Sequence, residues 1–514
     1  MTWNAQFTSS LDGPSKTVEY ALVFLPGGPN SVLFNGTLIN NDPNQKVFLS
    51  EAYVTIDNVQ VTPSRWSVNF GGFTIEIVGD IRPLKKKSFQ KGALAELHMR
   101  RNGEHVERVA IGQLRNISGG RGKWRLQFGD FLSALASRFT SSKNTMTYYN
   151  NVGKTTEVNT NWNFSSSPNL YVDDVTIFAK ETGGNGMIRV VDSSGKVGYL
   201  LWDVAVVTSS PVGYLRIVDT DPYPDQNNVT VLQSGDQVTY LALIVDRPDH
   251  IFAKTIMSTG GGTQGSFDKY PEAWGSGFKF NPNIIDALNM EFIHNAWQAP
   301  SGDYEFQLVI DQEEASGIRF LLDKCLAVGM WPVFRQNAIS WRACQNPNTA
   351  SLNTLTLAIH DSDIIAVNSH DIYSPSQSAS YTTSKINCTD ASHNEIFSSA
   401  DQNVIRSLPV NSEIARKMSL IYKIDNPTQL VKAAADVMRL KYWDFYPWEE
   451  LVITVRERFA VLVAGDIIEI TSNELYGYAE AEGKTYQSRR GMILGVRWQP
   501  NQSQCILRIG IITN

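Results

Sequence analysis

The sequence predicts a mainly β protein with α+β inserts. Two related antiparallel β-barrels, one near each end, enclose β-rich and α/β middle domains. Two observations carry this prediction. The stretch 448–512 runs as strand-like segments, 450–455, 465–471 and a long hairpin of 490–498 and 504–512, in which apolar and polar residues alternate. Alternation of period two is what a half-buried antiparallel strand requires. The stretch 108–128 then repeats the hairpin's shape: apolar residues, a glycine, an aliphatic residue and an arginine lead to the turn Ser118-Gly119-Gly120-Arg121-Gly122, and an alternating strand returns. In the C-terminal hairpin the turn is Gln499-Pro500-Asn501-Gln502-Ser503. Proline pre-sets one dihedral there, and Asn501 is expected to take the left-handed one.

The parts follow in order. Residues 1–139 form the first barrel, with strands expected at 18–24, 31–39, 47–56 and 66–78, and turns at Asn41-Asp42-Pro43-Asn44 and Thr62-Pro63-Ser64. Lys85-Lys86-Lys87 reads as a solvated loop. Apolar residues at 128, 131, 132, 135 and 139 predict a closing helix over 128–139, with Asp130 near its start and Arg138 near its end.

Residues 140–238 form an inserted β domain, with strands at 158–164, 170–178, 187–191, 197–207 and 213–218 and a turn at Ser165-Ser166-Ser167-Pro168. Residues 239–345 form an α/β middle domain in which the period becomes helical from Thr239. Helices are expected to begin at Asp249-His250 and to run over 283–294 and 313–328, and a hairpin joins 331–334 to 338–342. The glycine-rich run 258–266 lacks the Gly-Lys-Ser/Thr ending of a phosphate loop. Residues 346–423 form a β-rich connecting region. Residues 424–514 form the second barrel, entered by a helix over 426–443 with Asn426 as cap and Pro427 in its first turn.

Composition narrows the function. With 514 residues the chain is long enough for roughly three or four domains. No apolar run approaches the roughly 18 residues of a membrane-spanning helix, and the N-terminus shows no basic region followed by an apolar core, so folding in a cytoplasm is expected. A net charge of −6, from 45 basic and 51 acidic residues, argues against a nucleic-acid-coating surface. Cys325, Cys344, Cys388 and Cys505 are scattered without a CxxC pair, which points to free buried thiols rather than a zinc site or disulfide framework. His360, Asp361, Asp363, His370 and Asp371 lie within twelve positions, but the histidines lack a common face, and turn-forming aspartates are the simpler reading.

The order of these parts resembles that of a baseplate hub, or tail-associated tail-tip protein, of tailed bacteriophages and gene transfer agents. Five stretches carry the resemblance: 465–470 with the hairpin 491–512, the expected helix 128–139, the segment 158–178 with its strand Asn169-Leu170-Tyr171-Val172-Asp173-Asp174, the region 248–295 with Ala273-Trp274-Gly275, and 317–341. Together they span most of the chain. The resemblance implies that both barrels are of the tail-tube type. It implies a homotrimer whose three pairs of barrels make a six-barrel ring, adapting a sixfold tail tube to a threefold fibre or spike. It further implies contact with a tail-tube or distal tail protein and with the tape-measure protein, a lumen through which DNA passes without specific binding, and a place in the virion after assembly in the bacterial host cytoplasm. No fibre extension follows Asn514, so the fibre or spike is expected to be a separate protein.

No catalytic, cofactor-binding or metal-binding residue is expected, since GxSxG, HExxH and CxxC are all lacking. Two other readings were weighed. One is a tail protein that binds host-surface carbohydrate for receptor recognition, through Trp162 and Trp202 in the β regions. The other is a polysaccharide or peptidoglycan hydrolase using Glu449-Glu450 or Glu480/Glu482, acids that read more simply as charged, solvent-facing turns.

Overall fold

In the computed structural model the described residues are 3–13, 17–24, 52–62, 67–78, 94–102, 105–130, 154–178, 186–220, 229–246, 286, 288–290, 292–293, 306–310, 330–335, 338–350, 354–373, 383–389, 395–401, 415–421, 443, 448–477 and 485–512. A short helix α1 (Ala5–Ser10) opens the chain, and the Asn4 side chain accepts from the Gln6 amide at its start. Eight strands follow: β1 (Val18–Phe24), β2 (Ala52–Asp57), β3 (Gln60–Thr62), β4 (Ser67–Asn69), β5 (Gly72–Val78), β6 (Leu94–Arg101), β7 (His105–Gly120) and β8 (Lys123–Asp130). The central segment holds β9 (Thr155–Glu157), β10 (Trp162–Asn163), β11 (Asn169–Val172), β12 (Gly186–Val191), β13 (Val197–Ser209), β14 (Val212–Asp219), β15 (Val231–Leu232), β16 (Gln237–Asp246) and β17 (Phe306–Ile310). Then come β18 (Met330–Arg335), β19 (Ala338–Ala343), β20 (Thr354–His360), β21 (Ile364–Tyr373), β22 (Thr383–Thr389), β23 (Glu395–Asp401) and β24 (Ala415–Ile421). The chain closes with β25 (Trp448–Arg456), β26 (Ile467–Thr471), β27 (Arg489–Gln499) and β28 (Gln504–Ile512).

One 12-stranded sheet dominates. Its path is β1-β6-β7-β8-β5-β2-β27-β28-β25-β21, with β26 on β27 and β20 on β26. It consists of two modules with the same strand order. Numbered by sequence within each module, the six strands of the first (β1, β2, β5, β6, β7, β8) lie in the order 1-4-5-6-3-2, and so do the six of the second (β20, β21, β25, β26, β27, β28). Registers match as well. Ile75 pairs with Leu126 where Ile453 pairs with Leu507, and Ile77 pairs with Trp124 where Val455 pairs with Cys505. Each long hairpin carries a bulge five pairs from its tip, at Arg115 in β7 and at Leu494 in β27. A bulge bends its strand and sharpens the twist, so placing it at one position gives both modules the same curl.

The modules differ in one pairing. β1 runs antiparallel to β6, whereas β20 runs parallel to β26. In the second module β20 and β21 are one strand bent at the 3-10 turn Asp361–Asp363, so the path from β26 through β27, β28, β25 and β21 returns by β20 to β26. A sheet that closes on itself has no open edge along that circuit.

Alternate residues of these strands fill a shared core. Tyr20, Leu22, Val54, Phe73, Ile75, Leu97, Met99, Leu126 and Phe128 meet Ile359, Leu451, Ile453, Leu507 and Ile509 in one cluster. A second cluster packs the hairpin β18–β19 against the outside of the second module through Trp331, Val333, Trp443, Met492 and Leu494. The central segment has its own seven-stranded sheet, β11-β14-β13-β12-β16-β17 with β9 on β16.

Several expectations are corrected. Phe128 to Asp130 end strand β8 rather than starting a helix, because Phe128 continues the inward alternation and stacks on Phe73 at 4.4 Å. Residues 131–139 lie outside the described residues. Thr239 does not begin a helical region: β16 spans Gln237–Asp246 between β12 and β17. A strand flanked on both edges loses its polar alternation, which hides its period. Residues 158–164 are not one strand. Val158 makes an isolated bridge to Val172, and only Trp162–Asn163 pair further on. Val175–Ile177 form a 3-10 turn where strand was expected. In the C-terminal turn Ser503, not Asn501, takes the left-handed conformation, with φ 50°.

Other expectations stand. β1, β12, β13, β14 and the hairpin β18–β19 fall where the sequence placed them. Residues 288–290 and 292–293 are helical, with Asp286 accepting from the Asn289 amide. Cys344 and Cys505 are free and buried. The strand 31–39, the turn 41–44, Lys85 to Lys87, the start at 249–250, the glycine-rich run, the helix 313–328 and Glu480/Glu482 lie outside the described residues, as does the helix 426–443 apart from the helical Trp443.

Candidate functional site

The two modules meet at a seam, which is the most specific arrangement in the molecule. β27 is longer than β26. Arg489 to Met492 pair with β26, and beyond them Arg497 and Trp498 pair with Asp57 and Ile56 of β2. The Asn58 amide donates to the Val496 carbonyl at 2.9 Å and continues the ladder. Antiparallel ladders alternate hydrogen-bonded and non-hydrogen-bonded pairs, so Asp57 and Arg497 form a non-hydrogen-bonded pair with side chains close together. Arg497 Nε donates to Asp57 Oδ1 at 2.6 Å.

Asn501 locks the seam from the hairpin tip. Its Oδ1 accepts from the Tyr20 hydroxyl at 2.8 Å and from the Val54 amide at 2.9 Å, and its Nδ2 donates to the Ala52 carbonyl at 2.9 Å. Burial holds the Tyr20 phenol far above its ordinary value, with Glu457 raising it further, so it remains a donor. Beneath lies a buried ion pair: Arg101 Nη1 donates to Glu457 Oε1 at 2.6 Å, and Trp498 Nε1 donates to the same oxygen at 2.9 Å. Trp498 also packs against Trp3, with ring centroids 5.6 Å apart.

The outer face of the sheet carries matched charge. Register places Glu19, Glu96, Arg100, Arg108, Glu76, Arg125, Asp57, Arg497, Arg508 and Glu450 on the face away from the core. Arg100 meets Glu19 at 2.7 Å, Arg108 meets Glu96 at 2.6 Å, Arg125 meets Glu76 at 3.7 Å and Arg508 meets Glu450 at 2.8 Å, besides the Asp57–Arg497 pair. Burial acts to raise the Glu96 pKa, but hydrogen bonds from His98 and Arg108 outweigh it and hold the group below its ordinary value.

The residues weighed for chemistry are accounted for differently. Glu449 and Glu450 are not on a solvent-facing turn; they lie buried in β25. The Glu449 carboxylate accepts from the Tyr486 hydroxyl at 2.6 Å and lies 2.7 Å from His370 Nε2. Asp363 accepts from the His360 amide and Arg458, and Asp361 from the Asn473 amide, so both shape the bend between β20 and β21. Among the described residues no group of three or more His, Cys, Asp or Glu is placed to hold a metal ion. Trp162 and Trp202 are 3% and 1% exposed, which leaves neither ring a face for stacking on a sugar.

Arg101, Glu457, Asn501, Asp57 and Arg497 have no motif in the sequence, because each works with a partner hundreds of positions away. The one available signal was the matched hairpin pattern, which points to like modules but not to how they touch.

No protein-family model matches the chain, and no curated relative does. Solved structures similar to it include the tail protein from Neisseria meningitidis MC58, at 9% identity and TM-score 0.37 over 96% of each chain. A 43 kDa tail protein of prophage MuSo2 from Shewanella oneidensis is similar at 8% identity and TM-score 0.38, over 96% of this chain and 98% of that one. Prophage tail protein gp18 from Listeria monocytogenes EGD-e is similar at 9% identity and TM-score 0.36, over 97% of this chain and 95% of that one. Likeness at this level is reported as similarity and carries no functional argument.

Proposed function

We propose that the protein is a structural, non-catalytic component of a phage tail tip: a baseplate hub that forms a homotrimer. Three copies would supply six like modules, 3 × 2 = 6, as a ring between a sixfold tail tube and a threefold fibre or spike. The observation that carries this reading is the seam. Two modules of identical strand order sit edge to edge in one continuous sheet, joined by β2 and β27. A unit that already joins edge to edge within the chain can be repeated by rotation, and closed rings are the usual outcome of such repetition.

Tail-tube or distal tail protein, tape-measure protein and a separate fibre or spike protein are the partners of this reading. DNA would cross the lumen without specific binding, and the protein would act in the virion after assembly in the host cytoplasm. The matched charges of the outer face support a conduit, because arginines already set against carboxylates offer phosphates little net attraction. The test is symmetry. Class averages of the tail tip, with the chain located by a tag, should show three copies and six modules around the axis. Tails lacking 491–512 should have no tips. A tail tip of any other copy number, or infectious tails from the deletion, overturns the reading. A receptor-binding role in host-surface carbohydrate recognition has no specific support in the site, given the burial of Trp162 and Trp202.

A further inference from the structure

The registers allow one module to be read onto the other residue by residue. Counting back from the hairpin tips, the pair Gly120–Lys123 corresponds to Gln499–Gln504, and so Ser118 of β7 corresponds to Arg497 of β27. Along the third strand Gly72 corresponds to Glu450, and through their partners Asp57 of β2 corresponds to Asp371 of β21, as Val54 corresponds to Val367. The two strands that form the seam inside the chain therefore each have a counterpart.

Among the described residues both counterparts are open where the seam strands are paired. β7 pairs with β6 only as far as Gln113, so Leu114 to Gly120 present an edge with no strand on it. β21 pairs with β25 alone. Burial agrees. Val54 is 4% exposed, whereas Val367 is 50% exposed and its neighbour Ile365 is 55% exposed. An open strand edge beside exposed β-branched side chains is the kind of surface proteins keep covered.

We infer that the seam is repeated between chains: β21 of one copy adds to the free edge of β7 in a second copy, antiparallel, with Asp371 opposite Ser118 and His370 opposite Gly119. The occupant is a second copy of this chain because the fit is already made once, between the same two strand positions, inside each chain. This inference rests on the ring reading above and supplies its joint. Alternating the internal and the intermolecular seam around an axis closes the ring with every module in one type of contact. The intermolecular seam is the weaker of the two, since the tip Arg121-Gly122 has no equivalent of the Asn501 clamp.

Paired cysteines test the register. By correspondence with Asp57–Arg497 the new pair is non-hydrogen-bonded, with Cα atoms about 4.5 Å apart, inside the range a disulfide accepts. The variant Ser118→Cys/Asp371→Cys of the full chain is oxidised at high protein concentration and run on a non-reducing gel, and the mass of the unmodified protein is measured in parallel. Asp57→Cys/Arg497→Cys is the intramolecular control. Each single variant and the pair Ser118→Cys/Ala366→Cys are the register controls. The expected result is cross-linked trimer from Ser118→Cys/Asp371→Cys alone, lost on reduction. A trimeric mass without that cross-link, or equal cross-linking by the displaced pair, overturns the joint and leaves the ring standing. Monomer at all concentrations with no cross-link overturns both.

Discussion

Arg101 and Glu457, 356 positions apart in the chain, meet at 2.6 Å with both side chains out of solvent. One ends β6 and the other opens the 3-10 turn after β25, so the ion pair ties the first module to the second. Breaking a buried pair by removing one partner leaves a bare buried charge and costs about 3–5 kcal/mol, whereas replacing both with apolar groups is close to neutral. Arg101→Met should therefore lower the stability of the chain in urea unfolding by that amount. Arg101→Met/Glu457→Leu should recover most of it. Equal losses in the single and double variants would show that the pair's charges are not what matters.

The two buried carboxylates give opposite pH signatures. Burial raises the Glu457 pKa above its ordinary 4.5, despite Arg101 opposing the shift. A raised carboxyl favours the folded state at pH below 4.5, and that contribution is lost as pH rises through the folded value. Glu96 is held below 4.5, so its contribution is present above 4.5 and is lost as pH falls through the lower, folded value. Glu96→Gln should flatten the acid limb of a stability-against-pH curve, and Glu457→Gln should flatten the limb above pH 4.5. Unchanged limbs in both variants would contradict the assignment.

Asn501→Ala removes three hydrogen bonds that hold the hairpin tip to β2 and Tyr20. At about 0.5–1.5 kcal/mol each, the loss is about 2–4 kcal/mol. It should concentrate at the seam, so hydrogen exchange should quicken at Val54 while the Leu507 amide, deep in β28, keeps its protection.

Gly465 has φ +102°, and an added Cβ would lie 2.7 Å from the Arg342 Cβ and 3.0 Å from the Trp331 ring. Arg342 cannot retreat, because its Nε donates to the Asp466 carboxylate at 2.8 Å with both groups buried. Gly465→Ala should cost about 1–3 kcal/mol from strain and crowding, read as a lower melting temperature.

Trp202 fills the core of the central sheet, against Phe178 at 5.9 Å. Trp202→Ala should destabilise that sheet by about 3–5 kcal/mol. Saccharide arrays should give the same response with the variant and the unmodified protein at a temperature where both are folded.

Individual strands of the large sheet were legible because their outer faces meet water. Val54 and Ile56 alternate with Tyr53 and Thr55, and Leu507 and Ile509 with Ile506 and Arg508, so the period survives in the chain. β16 was missed because both its edges are paired and its apolar run carries no period. Phe128 was read at helical spacing because one residue of an inward row also fits a helical face. Glu449 and Glu450 looked like surface because two adjacent acids usually are, and only the fold supplies Tyr486, His370 and Arg508 to receive them.

The sequence by itself determined the two like hairpins and the predominance of β structure, since alternation and turn chemistry are local and need no partner. The tertiary structure alone decided that the modules share one sheet, that Asp57 faces Arg497 and that Asn501 clamps β2. Those contacts join residues more than 400 positions apart, and backbone edges pair with any strand that reaches them. Which strand reaches which edge is set by the packing of the whole core, and nothing in either segment records it.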